Sequence, residues 1–120
     1  EGIRESMNRD PVLYLLDMQE FAEAALQFLQ QVSFEEFALD TKTKFAVFHA
    51  LEMLAEASRR VPKDIVDRHP EIPWRQIVGM RNVLAHDYLG LKLDRIYETV
   101  RVFLPDLLAK LPAVIVDSRS

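Results

Sequence analysis

Four side chains suited to phosphate chemistry lie close together in one predicted helix: Arg81, Asn82, His86 and Tyr88. Histidine exchanges a proton near neutral pH, and arginine holds a phosphate through two parallel hydrogen bonds. An ideal helix turns about 100° per residue, so these side chains share less than half of its circumference. Ala85 is small and lies within that arc. We therefore predict a polar cleft floor that can support phosphodiester chemistry without a metal ion.

Taken alone, these residues leave a second interpretation open. A single histidine on a helix is more often a hydrogen-bonded or surface group than a catalyst. His49 and His69 have no metal-ligand spacing with any neighbour, so we expect no metal site and no cofactor. Glu52 and Glu56 lie one helical turn apart. One of them can orient Arg81 through a salt bridge, or both can face solvent or pair with other basic groups.

The elements that must position these residues are predicted to be helices. Apolar residues repeat at intervals of three and four, and the chain has only three glycines to form tight turns. Asp10 before Pro11 is typical of a capped helix start, and we expect this helix to reach about Gln31. Asp40 or Thr41 can cap a second helix that ends before Pro62.

The second half of the chain is also predicted to be helical. Residues 62–69 predict a short helix or a pair of turns, and a third long helix runs from Pro73 to a stop at Gly90. The last helix starts at Asp94, and Pro105 should kink or restart it because proline lacks a backbone donor. The apolar tail, residues 113–116, is expected to pack on the bundle or on a partner. The fold class is therefore all-α, an up-and-down four-helix bundle with a short additional helix.

Size and composition fit one soluble domain spanning residues 1–120. The chain is 49% hydrophobic and 28% charged, and it has no cysteine. No apolar run is long enough for a membrane span and no signal peptide is visible, so we expect a cytoplasmic protein. We expect residues 1–8 to be disordered, or residues 1–6 to be an addition to a natural chain that starts at Met7.

Charge is distributed unevenly along the chain. The net charge of −4 argues against nonspecific coating of nucleic acid. Residues 59–81, however, carry six basic and three acidic side chains. This local basic zone can attract an anion. Ordinary charge at helix ends and in loops is the simpler explanation.

The motif Arg81-x4-His86-x-Tyr88 resembles that of the HepT-like toxins of the HEPN superfamily. Matching segments surround it: Arg9-Asp10 with Tyr14-Leu15, Leu51-Glu52 with Glu56-Ala57, and Pro70-Glu71-Ile72-Pro73-Trp74 with Gly79-Met80-Arg81-Asn82. The resemblance extends from about residue 9 to residue 111. Two positions depart from the family pattern: Ala55 replaces a usual glycine, and Tyr97 stands where a tryptophan is common.

This resemblance implies an all-helical, homodimeric toxin of a prokaryotic toxin–antitoxin pair. It implies a metal-independent endoribonuclease in which Arg81 and His86 are catalytic and Asn82 is a supporting polar residue. Arg59 and Arg75, in the local basic zone, are then candidates to line an RNA path. The implied partner is an MNT-type nucleotidyltransferase antitoxin that transfers AMP to Tyr88. The competing interpretation is a noncatalytic HEPN module whose Arg–His cluster binds a nucleotide or a protein partner.

Overall fold

The protein was analysed as a computed structural model that describes residues 9–90 and 92–119. The expectations for residues 1–8 lie outside this range. Every regular element in the described residues is helical, which confirms the all-α class. The elements are α1 (Pro11–Phe28), α2 (Phe34–Leu39), α3 (Thr41–Arg59), α4 (Lys63–Arg68), α5 (Trp74–Leu89), α6 (Leu93–Glu98), a π-helical segment (Thr99–Phe103) and α7 (Leu104–Arg119).

Local sequence sets most of the helix starts. The Asp10 side chain accepts a hydrogen bond from the Val12 amide at 3.0 Å and so caps α1. Asp40 caps α3 in the same way through the Thr43 amide. The first helix ends at Phe28, earlier than the predicted Gln31, because residues 29–31 form a turn in which Gln31 has a φ of 60°.

The last helix has an irregularity at its proline. Pro105 has no N–H to donate to the preceding turn, and residues 99–103, just before it, form a π-helical turn in which the Leu104 amide bonds to the Thr99 carbonyl. The helix then continues through Pro112 to Arg119. Its apolar tail packs into this bundle through buried Val114 and Ile115.

The four long helical segments pack as neighbours around one core. Helix α3 lies against both α1 and α5, and α1 also lies against α7. The core is lined by fully buried aliphatic side chains: Leu15, Met18, Leu51, Leu54, Ile77, Leu104, Leu107 and Leu111. Two short helices, α2 and α4, occupy the connections on either side of α3. No described helix is both long and apolar enough to cross a membrane.

Candidate active site

Helix α5 presents the motif on its outer face. Its inner face buries Ile77, Met80 and Leu84, at the spacing expected of a core-facing helix. Arg81 and His86 are exposed, with 68% and 74% of their side-chain surfaces open to solvent. Both side chains are therefore accessible to a ligand.

Helices α3 and α5 run antiparallel, and their register places residues beside the motif. Phe45 near the start of α3 meets Tyr88 near the end of α5, and Glu52 in mid-α3 meets Arg81. The Oε2 atom of Glu52 lies 3.8 Å from Nε of Arg81, and the Glu52 carboxylate is half-buried between the helices. Of the two glutamates in α3, Glu52 is therefore the one that faces the motif arginine.

His86 is held only loosely. Its Nδ1 atom lies 3.6 Å from Oδ1 of Asp87, which is longer than a hydrogen bond. Asn82 is exposed one turn earlier on the same helix. An ideal helix rises about 1.5 Å per residue, so His86 lies about 7.5 Å along the axis from Arg81. That separation suits two side chains that contact one phosphodiester from different sides.

Tyr88 lies at the edge of the motif, on the side that faces α3. Its ring is half-buried, 6.1 Å from the Phe45 ring centroid in a stacked arrangement and 5.5 Å from that of Phe48 in an edge arrangement. A tyrosine whose ring is fixed by aromatic packing holds its hydroxyl at a defined place. Tyr88 is therefore packed on its neighbours and is not a free side chain at a frayed helix end.

The two arginines expected along an RNA path lie at the other end of the helix pair. Arg59 is in the last turn of α3 and Arg75 is in the first turn of α5. Arg59 is seven residues from Glu52 and Arg75 is six residues from Arg81. Both separations correspond to about 10 Å along the helix axis. Both are exposed, and their RNA-contacting role stays a prediction.

Glu56 already binds one of these arginines. Its carboxylate accepts two hydrogen bonds from Arg59, at 3.2 and 2.7 Å, and one from Nε of Arg60 at 2.8 Å. These charged donors lower the pKa of Glu56 to about 2. Arg59 must therefore release or share this carboxylate if it is to hold a phosphate.

Sequence reasoning did not single out Asp87. Its side chain is buried, and Oδ1 lies 3.6 Å from Nδ1 of His86 and 3.7 Å from Nη1 of Arg95. The signal was present in the sequence, because Asp87 continues the inner stripe of Ile77, Met80 and Leu84 where an apolar residue is expected. An acidic residue in an apolar stripe is uncommon unless it is paired.

The outer surface beside the motif is notably apolar. Val83 and Phe45 are each 58% exposed and Leu89 is 82% exposed. Gly79 lies on the exposed side of α5, and a Cβ atom built there meets nothing within 4 Å. Another helix can therefore approach the backbone of α5 closely at this point.

Comparisons with known proteins agree on one family. The family model described as Ribonuclease HepT-like matches residues 18–114. A relative from Thermococcus cleftensis, named "Probable ribonuclease HepT", is 41% identical over 104 residues, which cover 87% of this chain and 94% of the relative. No solved structure matches the chain.

More distant relatives have similar names. One from Methanocaldococcus jannaschii, provisionally named an RNase, is 32% identical over 109 residues, covering 91% of this chain and 90% of its own. Another, from Caldanaerobacter subterraneus and also provisionally named an RNase, is 32% identical over 99 residues, covering 82% of this chain and 91% of its own. The matched segments contain the whole of α5 and its motif.

Proposed function

Because the chain belongs to the Ribonuclease HepT-like family, we propose that it is an endoribonuclease that cleaves RNA without a metal ion. The observation that carries this proposal is the exposure of Arg81 and His86 on one helix, with neither held in a close ion pair. The names of its relatives describe ribonucleases, which supports RNA as the substrate class.

Cleavage uses the 2′-hydroxyl of RNA as the nucleophile. The 2′-oxygen bonds to the adjacent phosphorus, a base takes the hydroxyl proton, the bond from phosphorus to the 5′-oxygen breaks, and an acid protonates that oxygen. His86 can serve as the base or the acid. Arg81 binds the nonbridging oxygens and stabilises the negative charge that develops on them.

We propose that the working unit is a homodimer. One protomer offers one motif histidine, whereas the reaction needs both a base and an acid. A two-fold axis beside α5 brings a second His86 and a second Arg81 into a shared cleft. The exposed apolar residues Val83 and Leu89 and the open approach at Gly79 support this face as the contact.

The test is RNA cleavage by the purified protein in excess chelator. We expect cleavage products that end in a 2′,3′-cyclic phosphate, and we expect Arg81→Ala and His86→Ala each to lose about 10²–10⁴ in rate while remaining folded. Full activity in both variants would exclude this assignment. Activity that disappears with chelator and returns with a divalent ion would exclude metal independence alone.

We further propose that the protein is a toxin silenced by an MNT-type nucleotidyltransferase through AMP transfer to Tyr88. The Tyr88 oxygen attacks the α-phosphorus of ATP, pyrophosphate leaves, and the phenolic proton is released. The bound AMP places a phosphate on the side of α5 that carries Arg81. It would therefore occupy the arginine and fill the cleft without unfolding the protein.

Two measurements test this regulation. Expression of the chain should arrest growth, and His86→Ala should relieve the arrest. Coexpression with the nucleotidyltransferase should add AMP to a peptide containing Tyr88, and Tyr88→Phe should carry none. An unmodified Tyr88 in a neutralised complex would favour inhibition by binding alone.

A further inference from the structure

Asp87 is the one charged side chain that is buried among the described residues. About 5% of its side chain is exposed, although it lies between the exposed His86 and the half-buried Tyr88. A buried carboxylate is costly unless cationic or hydrogen-bonding groups compensate it. The groups around Asp87 must therefore compensate its charge.

Two cationic or proton-donating groups approach the same oxygen of Asp87. Nδ1 of His86 is 3.6 Å away and Nη1 of Arg95 is 3.7 Å away. The Lys92 amide also donates to the main-chain carbonyl of Asp87 at 2.6 Å. This bond closes the connection after α5, so that Arg95 in the first turn of α6 reaches back to the carboxylate.

We infer that Asp87 is a positioning residue for His86, an inference that rests on the proposed ribonuclease function. A carboxylate only accepts hydrogen bonds, so the neutral imidazole that faces it carries its proton on Nδ1. Nε2 then holds the free lone pair and points away from Asp87. This is the nitrogen that takes the 2′-hydroxyl proton or, once protonated, returns a proton to the 5′-oxygen.

The 3.6 Å between Nδ1 of His86 and Oδ1 of Asp87 is slightly longer than a hydrogen bond. Hydrogen bonds of catalytic groups tighten when substrate binds. No other described side chain is seen to bond to the His86 ring, so the exposed imidazole is free to turn toward Asp87. Arg95 meanwhile balances the buried negative charge.

A purely structural role is the alternative, in which Asp87 ties α5 to α6 through Arg95. The two roles separate cleanly in a pair of variants. Arg95→Gln removes the contact between α6 and Asp87 and leaves the contact between Asp87 and His86. Asp87→Asn removes the carboxylate charge from both contacts. Asp94→Asn is the matched control, because Asp94 is an exposed acid directly before Arg95 in α6.

The experiment combines ring-nitrogen NMR with cleavage kinetics on the full chain. In ¹⁵N spectra the neutral His86 ring, assigned by the loss of its signals in His86→Ala, should carry its proton on Nδ1. Asp87→Asn should move that population toward the Nε2–H form and lower kcat about 10-fold or more with KM little changed, a smaller loss than the ~10⁴ of a fully buried triad aspartate. Arg95→Gln and Asp94→Asn should keep the Nδ1–H form.

An Nε2–H ring in the unmodified protein would overturn the inference, even if Asp87→Asn failed to fold. An unchanged kcat and an unchanged proton position in folded Asp87→Asn would overturn it as well. The NMR result does not depend on RNA cleavage, so a protein that lacks ribonuclease activity refutes the proposed function without deciding the Asp87–His86 contact.

Discussion

His69 and His86 belong to the same chain but occupy opposite environments. His69 has only 12% of its side chain exposed, and its ring nitrogens lie 3.0 Å from a Glu71 oxygen and 2.7 Å from an Asp117 oxygen. His86 is 74% exposed and its nearest charged neighbour is 3.6 Å away. One ring fastens the connection between α4 and α5 to the last helix, α7, whereas the other remains available to a ligand.

The arginines differ in the same way. Arg59 donates two hydrogen bonds to Glu56 within α3. Nε of Arg81 in α5 lies 3.8 Å from Oε2 of Glu52 in α3, which is too far for a hydrogen bond. A side chain whose hydrogen bonds are satisfied internally must break them before it can bind substrate. The side chains of the candidate active site therefore differ from the structural polar contacts around them in being available to a ligand, and not in residue type.

Exchanging each histidine for glutamine gives the largest contrast. We expect His86→Gln to lower RNA cleavage by about 10²–10⁴ with little change in Tm, because glutamine cannot exchange the proton. His69→Gln should keep cleavage per folded molecule near the original value. Cleavage rates and thermal unfolding of the two variants check this, and an inactive, fully folded His69→Gln would show that His69 also takes part in cleavage.

The converse effect should appear in stability. His69→Gln is expected to lower the free energy of unfolding by about 1–2 kcal/mol, since it weakens two contacts to carboxylates that are themselves half-exposed. His86→Gln should change it by less than about 0.5 kcal/mol, as is usual at exposed positions. Urea unfolding measures both, and equal losses would show that His86 also has a structural role.

Glu56 and Glu52 should differ in how much they contribute to the free energy of unfolding as the pH is lowered. The pKa of Glu56 falls to about 2 because Arg59 and Arg60 donate to it, so its contribution is present above about pH 4.5 and is lost as pH falls toward 2. Glu56→Gln should lower stability near pH 7 by about 1 kcal/mol after allowance for solvent screening. The difference should vanish near pH 2.

Glu52→Gln is the matched control, one turn earlier on α3. Its contact with Arg81 is long, so we expect a smaller change in unfolding free energy at pH 7 than for Glu56→Gln. Unfolding of both variants from pH 2 to pH 7 tests this order. A larger loss in Glu52→Gln would mean that Arg81 is held more firmly than its exposure indicates.

The smallest effect concerns the open face of α5. Gly79→Ala meets no neighbour and should stabilise the monomer by about 0.5–1 kcal/mol, because alanine is the better helix former. If a second copy crosses here, the same change should weaken dimerisation. Sedimentation across a dilution series separates the two effects, and unchanged dimerisation would place the contact on another face.

The sequence predicted most of the helical framework because its signals are local. Asp10, Asp40 and Gly90 cap helices where they were expected to. The details that the sequence left open, and the end of α1 that it misplaced, depend on distant groups. The π-helical turn before Pro105 and the burial of residues 114 and 115 are set by packing against the bundle, and the length of α1 is set by the turn at Gln31.

The sequence by itself determined the helices, the spacing of Arg81, His86 and Tyr88, and the family to which that spacing belongs. Only the tertiary structure decided which polar groups are engaged. His69 meets Asp117 across 48 residues of chain, and Asp87 meets Arg95 across the turn after α5. Helical periodicity reports which face a residue occupies, but it does not report what lies opposite. The antiparallel packing of α3 on α5 and the position of α6 determine those neighbours. As a result His86 is exposed and the Asp87 carboxylate beside it is buried.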